Sequence, residues 1–408
     1  MLRVGRRRAS MRAVGLLGPA FVAAIAYVDP GNVAANITAG AEYGYLLVWV
    51  LVVANVMAVI VQYQSAKLGV VTGKTLPQTL GERLPRRSRL LFWAQAELVA
   101  GATDIAEVIG GAIALNLLFG LPLPVGGVIV GVVSMGILTM ADSRCQRRFE
   151  TVIVGLLAVI VIGFLTGLLV TPPDVGGVLG GLVPRLAGPE TVLLAASMLG
   201  ATVMPHAIYL HSSLVVDRHG QPVGAGRTRR LLSMTRVDVV VALVIAGTVN
   251  IALLVLAATS LYGRDGTDSI EGAHDAVRDA LGPVVAGAFA VGLLASGIAS
   301  TSVGAYAGGA IMGGLLQRRI PMLVRRSVTL IPAVIILATG VNPTLALVIS
   351  QVVLSFGIPF AIIPLRRYTA DRALMGEFAD GRPLRWGSAA AAIAIVVLNV
   401  VLIALTFA

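Results

Sequence analysis

The sequence predicts an all-α integral membrane protein, and three observations lead to this fold class. Apolar residues make up 57% of the 408 residues and charged residues only 12%, about half the charged share of a soluble domain. The apolar residues form long runs, many of them near the roughly 20 residues that a helix needs to cross a bilayer. Two of these runs are interrupted by a proline beside polar side chains. Because Cys145 is the one cysteine, the sequence excludes an internal disulfide and a cysteine-based metal cluster.

Eleven apolar runs predict eleven transmembrane helices in a single domain that covers residues 1–408. We number them spans 1 to 11, and they cover residues 13–40, 45–71, 88–119, 123–141, 150–171, 189–216, 236–261, 282–316, 324–341, 343–366 and 386–407. The arginine-rich residues 1–12 are similar to the start of a signal peptide. However, the apolar run that follows is too long and lacks a small-residue cleavage site, so we retain it as span 1.

The basic residues predict the orientation of these spans. If the N-terminus is cytoplasmic, only three of the 31 lysines and arginines fall in outer loops, namely Arg185, Arg264 and Arg278. An excess of basic residues in the inner loops is the positive-inside distribution, which the opposite orientation would invert. The C-terminus of an eleven-span chain then lies outside the cytoplasm. Because topology accounts for the net charge of +11, we expect no nucleic-acid partner.

Span 1 contains four residues that a plain transmembrane helix does not need, Asp29, Pro30, Gly31 and Asn32. A carboxylate at the middle of a membrane helix costs at least about 2.5 kcal/mol. Pro30 lacks an N–H and Gly31 frees the backbone, so the helix is predicted to break beside its charge. Broken backbone at this depth is tolerated where it is buried in protein or lines a cavity. The stretch is therefore predicted to be a binding site.

Span 6 contains a second break, because Pro205 lies in the middle of the run 200–206. Each broken span opens a block of five, spans 1 to 5 (13–171) and spans 6 to 10 (189–366), and span 11 (386–407) is an addition. Interrupted helices at matching positions of two halves point to a transporter site at the bilayer midplane. This pattern is typical of the LeuT-like fold, a 5+5 inverted repeat with discontinuous helices 1 and 6.

The side chains at the two breaks suit a divalent transition metal. Asp29 offers a carboxylate and Asn32 an amide oxygen. Met204 offers a thioether sulfur, and unwinding near Ala201 would free a backbone carbonyl. Oxygen ligands with one sulfur favour Mn²⁺, Fe²⁺ or Cd²⁺ over Mg²⁺ and Ca²⁺, which prefer hard oxygen ligands. A methionine in an apolar helix usually only packs, so Met204 becomes a candidate ligand through its position beside Pro205.

Span 3 carries three acids, Glu97, Asp104 and Glu107, which lie within about 80° of one another around the helix axis. Carboxylates stacked on one helix face inside a membrane can pass protons and titrate as a coupled set. The stripe therefore predicts a proton pathway. The alternative is that these acids form hydrogen bonds between helices.

Two histidines and two arginines extend this hypothesis. His206 and His211 in span 6 can titrate near neutral pH, but their spacing of five places them on different helix faces, which argues against joint metal binding. His206 has the alternative role of stabilising the unwound segment. Arg325 and Arg326 open span 9 and either face the acids of span 3 or anchor the inner interface, which is the default role.

With these residues the chain resembles the Nramp divalent-metal transporters, specifically the bacterial proton-coupled manganese transporters. The resemblance covers nearly the whole chain. It rests on residues 29–32 (DPGN), 103–110 (TDIAEVIG) and 204–206 (MPH), with support from 64–69 (QSAKLG) and 359–364 (PFAIIP). Together these motifs are specific, whereas Asp-Pro-Gly alone would be weak.

The resemblance implies proton-coupled uptake of divalent transition metals by alternating access, with Mn²⁺ as the main substrate. It implies no enzymatic activity and no resident cofactor. Its implied metal ligands are the Ala201 carbonyl, Asp29, Asn32 and Met204. It also implies that Gln351 in span 10 helps to complete the site and that Asn250 in span 7 contributes to gating. We expect a monomer in the plasma membrane of a bacterium.

The implied proton route comprises Asp29, Glu107, Asp104, Arg325 and Arg326, with His206 and His211 nearby. Span 8 departs from the family pattern, because Ile298 and Gly309 occupy positions where glutamines are expected. The role of this helix in gating or coupling is therefore left open.

Three alternatives remain at the level of sequence. A Mg²⁺-transporting relative would hold its ion hydrated and would not need Met204. A Na⁺-coupled amino-acid or amine carrier of the same fold would use this methionine only for packing. An intramembrane enzyme would need an activated nucleophile or several histidine ligands to a metal. Ser212 and Ser213 beside His211 are the only indication of an enzyme.

Overall fold

The computed structural model describes residues 18–141, 146–264, 266–267, 269–317 and 321–407, and its regular elements are all helices. The first nine are α1 (Pro19–Ala24), α2 (Pro30–Tyr43), α3 (Val48–Thr72), α4 (Leu76–Arg83), α5 (Arg86–Phe119), α6 (Leu123–Leu138), α7 (Gln146–Val170), α8 (Val175–Gly180) and α9 (Pro189–Thr202). The others are α10 (Pro205–His219), α11 (Ala225–Ser260), α12 (Ile270–Leu281), α13 (Pro283–Leu315), α14 (Met322–Ala338), α15 (Pro343–Ala370), α16 (Arg372–Met375) and α17 (Arg382–Phe407). The predicted all-α architecture is confirmed over these residues.

Eight helical segments in the described ranges are long and apolar enough to cross a membrane. They are α3, α5, α7, α11, α13, α15, α17 and the combined segment of α9 and α10. Shorter apolar helices cover Pro19–Val28 and α6. The number of eleven crossings therefore stays a prediction, and residues 13–17 of span 1 lie outside the described residues.

Both predicted helix breaks are confirmed. In span 1, a short 3₁₀ turn (Ile25–Val28) follows α1, Asp29 is extended, and α2 begins at Pro30. In span 6, α9 ends at Thr202 and α10 begins at Pro205. Each proline is the first residue of the second half-helix, where the missing N–H costs no hydrogen bond. The prolines therefore start these half-helices as well as interrupting the spans.

Close packing of small residues seats the second half of span 1. Helix α2 packs against α11 and α9, and α15 packs against α5, α9 and α2. A Cβ on Gly110 of α5 would lie 2.1 Å from Cβ of Pro30, and a Cβ on Gly40 would lie 2.3 Å from the carbonyl oxygen of Leu254 in α11. Glycine at these positions lets the helix backbones approach closely, as is common in membranes. Helices α5 and α11 thus hold α2 from two sides.

The first half of span 1 is anchored at its start by a carboxylate from α11. Asp238 accepts hydrogen bonds from the backbone N–H groups of Gly18 and Ala20, both at 3.1 Å. N–H groups at a helix start have no partner within the helix, so this carboxylate satisfies and orders them. Arg218 and Glu150 form an ion pair beside Gly18. Any movement of α1 away from α11 therefore has to break the hydrogen bonds between Asp238 and the start of α1.

Candidate metal site

Spans 1 and 6 meet where their helices are broken, and Asn32 joins them. The side-chain nitrogen of Asn32 donates to Oδ1 of Asp29 at 2.7 Å and to the carbonyl oxygen of Ala201 at 2.9 Å. Thr202 Oγ1 donates to the Asn32 side-chain oxygen at 3.3 Å. All four residues are buried. The structure therefore brings together Asp29, Asn32 and Ala201, three of the residues assigned as ligands from the sequence.

Local backbone structure explains why these groups are available. Asp29 is the N-cap of α2, with extended backbone (φ −70°, ψ 165°), and its Oδ1 also accepts the backbone N–H of Asn32 at 2.8 Å. Ala201 lies in the last turn of α9, where carbonyl groups lose their partners within the helix. The Ala201 carbonyl is thus free to accept a hydrogen bond or to contact a cation.

Asn32 presents its amide nitrogen to Asp29 and Ala201, whereas its amide oxygen was the predicted ligand atom. The reason is electrostatic, because both neighbours are acceptors and one NH₂ group can donate to both. A cation would interact with the same two oxygens. We expect the Asn32 amide to rotate about its terminal torsion, which is soft, before its own oxygen serves as a ligand.

Two polar side chains near this point have atoms without hydrogen-bond partners among the described residues. They are Asp29, through Oδ2, and Gln351 of α15, through both amide atoms. A Cβ on Gly31 would lie 3.2 Å from Asp29 Oδ2 and 1.6 Å from Gln351 Nε2, so both side chains approach the same glycine. Buried polar atoms without partners are rare in folded proteins. A cation-binding role would account for this pair.

Met204 lies at the break in span 6, directly before α10. Its backbone is extended (φ −78°, ψ 126°), and its side chain is fully buried. Its thioether therefore belongs to the same interruption as the Ala201 carbonyl. Met198, six residues earlier, is equally buried but lies within the regular helix α9. The two methionines thus differ in backbone setting rather than in burial.

A cavity of about 440 Å³ reaches this site between α2, α9 and α15. Gly31 and Gln351 line one end, and Glu42, Tyr43 and Glu190 also line it. Because α2 rises about 1.5 Å per residue, its Glu42 lies roughly 17 Å along the helix from Gly31. Glu190 accepts a hydrogen bond from the Tyr43 hydroxyl at 3.1 Å. In the predicted orientation the cavity leads from the outer side to the site, and the acids at its mouth attract cations.

The carbonyl groups freed at the break in span 1 are satisfied by two side chains. Asn250 of α11 donates to the Tyr27 carbonyl at 2.7 Å and accepts from Asn36 Nδ2 at 2.9 Å. Ser296 of α13 donates to the Val28 carbonyl at 2.5 Å. Broken backbone inside a membrane requires such partners. Asn250 therefore stabilises the broken backbone of span 1. The gating role expected for Asn250 did not include this hydrogen bond.

Replacing Asn250 by alanine should lower both stability and metal affinity. The Tyr27 carbonyl and the Asn36 amide would lose their partners, at about 1 to 3 kcal/mol for each buried group. Thermal unfolding and Mn²⁺ titration of the purified protein measure the two effects. Asn116→Ala is the control, because Asn116 donates to the Leu121 carbonyl at 2.8 Å at the end of α5, outside the candidate site. The control should lose stability only, and unchanged Mn²⁺ affinity in Asn250→Ala would contradict the role of Asn250 in stabilising the break.

Both arginines at the start of span 9 pair with acids of span 3, which is the alternative to the default interpretation as interface anchors. Arg326 forms a buried ion pair with Asp104, and its Nε and Nη2 lie 3.3 and 3.2 Å from Ser134 Oγ. Arg325 pairs with Glu97 at 2.7 Å. A fully buried guanidinium requires such a partner, because an unpaired charge in the interior is strongly destabilising.

Asp104 and Glu107 lie one helical turn apart in different surroundings. Asp104 accepts a hydrogen bond from Thr301 at 2.7 Å in addition to its ion pair with Arg326. Glu107 is fully buried, and neither of its carboxyl oxygens is hydrogen-bonded to a described residue. A Cβ on Gly304 would lie 2.9 Å from Glu107 Oε2. Of the three acids on α5, Glu107 is therefore the one that forms no ion pair with a described residue.

His211 belongs to a chain of hydrogen bonds that ends beside the break in span 1. Its Nδ1 lies 2.8 Å from Gln62 Oε1, and Gln62 Nε2 donates to the Tyr27 hydroxyl at 2.7 Å. His206 is also buried, but its ring nitrogens have no hydrogen-bond partner among the described residues. No group of three or more His, Cys, Asp or Glu that could hold a metal occurs in the described part of the chain. The candidate site therefore depends on Asp29 together with neutral ligands.

Span 8 contributes to the site without the glutamines of the family pattern. Ile298 and Gly309 of α13 are partly exposed. The contacts of this helix instead come from Ser296, which reaches the break, and from Thr301, which reaches Asp104. Hydroxyl groups in helices usually bond their own backbone, so these two residues gave no signal in the sequence.

Sequence reasoning also missed Tyr27, Gln62 and Ser134, each of which contacts a site residue or a freed carbonyl. Gln62 could have been recognised as a candidate site residue, because it is an isolated polar side chain in the apolar run of span 2. Tyr27 and Ser134 carry no comparable signal, because tyrosine is common near membrane interfaces and serine is common at helix contacts. Their partners come from distant parts of the chain.

A sequence family described as natural resistance-associated macrophage protein-like, or Nramp, matches residues 20–405. The divalent metal cation transporter MntH of Mycobacterium tuberculosis is 60% identical over 391 residues, which cover 96% of this chain and 91% of that protein. The protein of the same name from Bacillus subtilis is 45% identical over 406 residues, which cover 99% of this chain and 95% of that protein.

Solved structures of transporters share the fold. The crystal structure of the Eremococcus coleocola manganese transporter matches with a TM-score of 0.86 at 31% identity, over 95% of this chain and 85% of that chain. Mhp1, a nucleobase-cation-symport-1 family transporter with the LeuT fold, matches in its closed conformation with a TM-score of 0.60 at 15% identity, over 95% and 89% of the two chains. The second match concerns the fold alone, and together they confirm the predicted LeuT-like class. With this fold, its paired breaks and a family match over nearly its whole length, the chain belongs to the Nramp family.

Proposed function

We propose that this chain imports divalent transition metal ions by proton-coupled alternating access, with Mn²⁺ as the main substrate and Fe²⁺ and Cd²⁺ as further ones. The proposal rests mainly on one observation. Asp29 Oδ2 and the Gln351 amide approach each other beside Gly31, at the end of a cavity between two broken helices. The names of the relatives, divalent metal cation transporter and manganese transporter, agree with this substrate class.

The metal reaches the site through the cavity and exchanges water for protein ligands. Asp29 supplies the negative charge, the Ala201 carbonyl and the rotated Asn32 amide supply neutral oxygens, and Met204 supplies sulfur. Gln351, whose amide approaches Asp29 beside Gly31, completes the ligand set or gates the site. Carboxylate and amide oxygens alone would also suit Mg²⁺ and Ca²⁺, so the selectivity for softer ions comes from the thioether.

Access alternates through the half-helices on either side of the breaks. Helices α2 and α9 line the outer cavity, and their approach to α15 would close it over the ion. Opening on the other side requires α1 to leave α11, which breaks the hydrogen bonds from Gly18 and Ala20 to Asp238. An inside-negative membrane potential favours uptake by about 2.3 kcal/mol per charge per 100 mV.

A proton leaves Asp29 when the metal binds, because a carboxylate must be deprotonated to act as a ligand. Glu107 is the first acceptor, since it forms no ion pair with a described residue, whereas Asp104 is paired with Arg326. From Glu107 the acids Asp104 and Glu97 follow α5 for about 15 Å toward its arginine-rich start. Arg326 and Arg325 form ion pairs with these two acids. His206 and His211 supply further titratable groups beside the break.

The direct test is Mn²⁺ uptake into proteoliposomes at several external pH values, with Ca²⁺ as competitor. We expect uptake to accelerate as the external pH falls below the internal pH, with protons entering alongside the metal. Calcium should compete weakly. Uptake that is independent of the pH gradient would contradict proton coupling. Competition by hydrated Mg²⁺ at equal concentration, or calorimetric binding of an amino acid in place of Mn²⁺, would contradict the assigned substrate.

Replacing Met204 by alanine should erode selectivity more than transport. The oxygen ligands remain, so Mn²⁺ uptake should persist, whereas discrimination against Ca²⁺ and Mg²⁺ should fall by about tenfold, the effect of roughly 1.4 kcal/mol. Competition assays in proteoliposomes measure this ratio. Met198→Ala is the control, because it removes an equally buried methionine from a regular helix. Equal selectivity in the two variants would exclude the sulfur of Met204 as a ligand.

A further inference from the structure

A second cavity, of about 410 Å³, lies between the end of α15 and the start of α17. It is lined by Ile363, Arg366, Arg367, Ala370, Asp371 and Arg385. In the predicted orientation this end of the molecule faces the cytoplasm, at the level of the inner lipid headgroups. Its first lining residue, Ile363, lies about 18 Å along α15 from Gln351 of the metal site, and the cavity is independent of the proposed transport function.

The three arginines of this cavity have free guanidinium groups. Within the part of the chain that the structure describes, none of them forms an ion pair or a side-chain hydrogen bond. Other arginines on this side of the molecule do have partners, as in the pair of Arg229 with Glu377 at 2.5 Å. Three positive groups around one cavity repel each other unless an anion lies between them. The cavity is therefore electrostatically suited to an anionic ligand.

Asp371 does not neutralise these arginines, although it also lines the cavity. Its carboxylate accepts hydrogen bonds from the Ala373 N–H at 2.9 Å and from Arg83 at 3.1 Å. These hydrogen bonds hold the pKa of Asp371 below its ordinary value, so the group is ionised and already engaged with Arg83. The net charge of the cavity lining is positive.

Apolar stripes lead from the cavity into the bilayer. On α15 the exposed side chains Phe356, Phe360 and Ile363 follow one another at helical spacing and end beside the arginines. On α17 the stripe begins with Trp386, which is 75% exposed next to Arg385, and continues with Ile393. Tryptophan is enriched at the level of lipid headgroups. The ligand of this cavity therefore has an anionic head and an apolar tail.

We propose that this cavity binds an anionic phospholipid of the cytoplasmic leaflet. Its phosphate lies among Arg366, Arg367 and Arg385, because guanidinium groups donate paired hydrogen bonds to phosphate oxygens. Its acyl chains follow the exposed stripes of α15 and α17. Basic pockets between transmembrane helices on the cytoplasmic side are typical sites for such headgroups. A soluble phosphate compound would use the arginines but would leave the apolar stripes without a role.

Lipid binding to the full chain tests the proposal. The protein is purified in detergent, stripped of lipid and titrated with dioleoyl phosphatidylglycerol, and bound lipids are counted by native mass spectrometry. We expect one tight lipid, bound about tenfold or more tightly than dioleoyl phosphatidylcholine. In the triple variant Arg366→Gln, Arg367→Gln, Arg385→Gln this preference should disappear. In the single variant Arg385→Gln, the affinity should fall about fivefold.

The control removes the same charge from the same side of the molecule but outside the cavity. Arg86→Gln, Arg87→Gln, Arg372→Gln replaces three exposed arginines and should keep the tight lipid. Equal losses in the two triple variants would overturn the proposal, because the effect would then be a general surface potential. Equal binding of both lipids to the wild type would also overturn it. Displacement of the lipid by glycerol 1-phosphate at a similar concentration would assign the arginines to a soluble ligand instead.

Discussion

Replacing Asp29 by alanine is expected to abolish Mn²⁺ uptake into proteoliposomes, with a fall of at least about hundredfold, or roughly 2.7 kcal/mol. Asp29 is the only acidic residue among the proposed ligands, and its Oδ2 makes no ion pair with a described residue. Its removal deletes the charge that offsets the desolvation of a divalent cation. Calorimetric titration should show the loss of Mn²⁺ binding as well as of transport.

The helix-capping role of Asp29 has to be separated from its role as a ligand. Loss of an N-cap carboxylate costs about 1 kcal/mol of stability. Asp174 provides the control, because it also caps a helix, accepting the N–H groups of Gly176 and Gly177 at the start of α8. Asp174→Ala should lose a cap but retain uptake. Asp29→Asn, which keeps a capping oxygen without the charge, should fail like Asp29→Ala, and uptake in Asp29→Asn would contradict a charged ligand.

Replacing Arg326 by methionine is expected to destabilise the protein by about 3 to 5 kcal/mol, because Asp104 would be left as a buried charge without its partner. Thr301 would still donate one hydrogen bond to Asp104, which does not replace a positive charge. Thermal or denaturant unfolding measures the change in stability. Under the proposed mechanism, the same variant should also weaken the dependence of Mn²⁺ uptake on external pH.

An exposed ion pair and a double variant serve as controls for this prediction. Arg229 and Glu377 also form an ion pair, but their side chains are 68% and 48% exposed, so Arg229→Gln should change stability by no more than about 1 kcal/mol. Asp104→Asn combined with Arg326→Met removes both buried charges and should recover much of the lost stability. If Arg326→Met is as mild as Arg229→Gln, the buried pair does not contribute in the way inferred here.

Much of the candidate site was predictable from local chemistry. A carboxylate followed by proline and glycine inside an apolar run is costly unless the backbone breaks there, and the break was found at Asp29. Pro205 led to the second break by the same reasoning. The joining of Asp29, Asn32 and Ala201 follows from these two breaks once the half-helices are placed as in the LeuT-like fold. The metal-ligand roles of these residues and of Met204 stay predictions.

Other features depend on partners that are far apart in the chain. The Gln351 amide lies against Gly31 although 320 positions separate them, and Asn32 presents its nitrogen because two acceptors flank it. The pairing of Arg325 and Arg326 with acids of span 3 was the less favoured reading of the sequence. The contacts of Ser296 and Asn250 with the broken backbone were not predicted at all.

The linear pattern of charges, prolines and apolar runs thus specifies the membrane class, the two interruptions and the type of chemistry at each, because these follow from the cost of placing single groups in lipid. The choice among possible partners is a property of the packed helices. Side chains such as Arg326, Asn250 and Gln351 each have several chemically acceptable partners. Close helix packing selects one arrangement, in which most buried polar groups are satisfied and the side chains of Asp29 and Gln351 approach the same glycine.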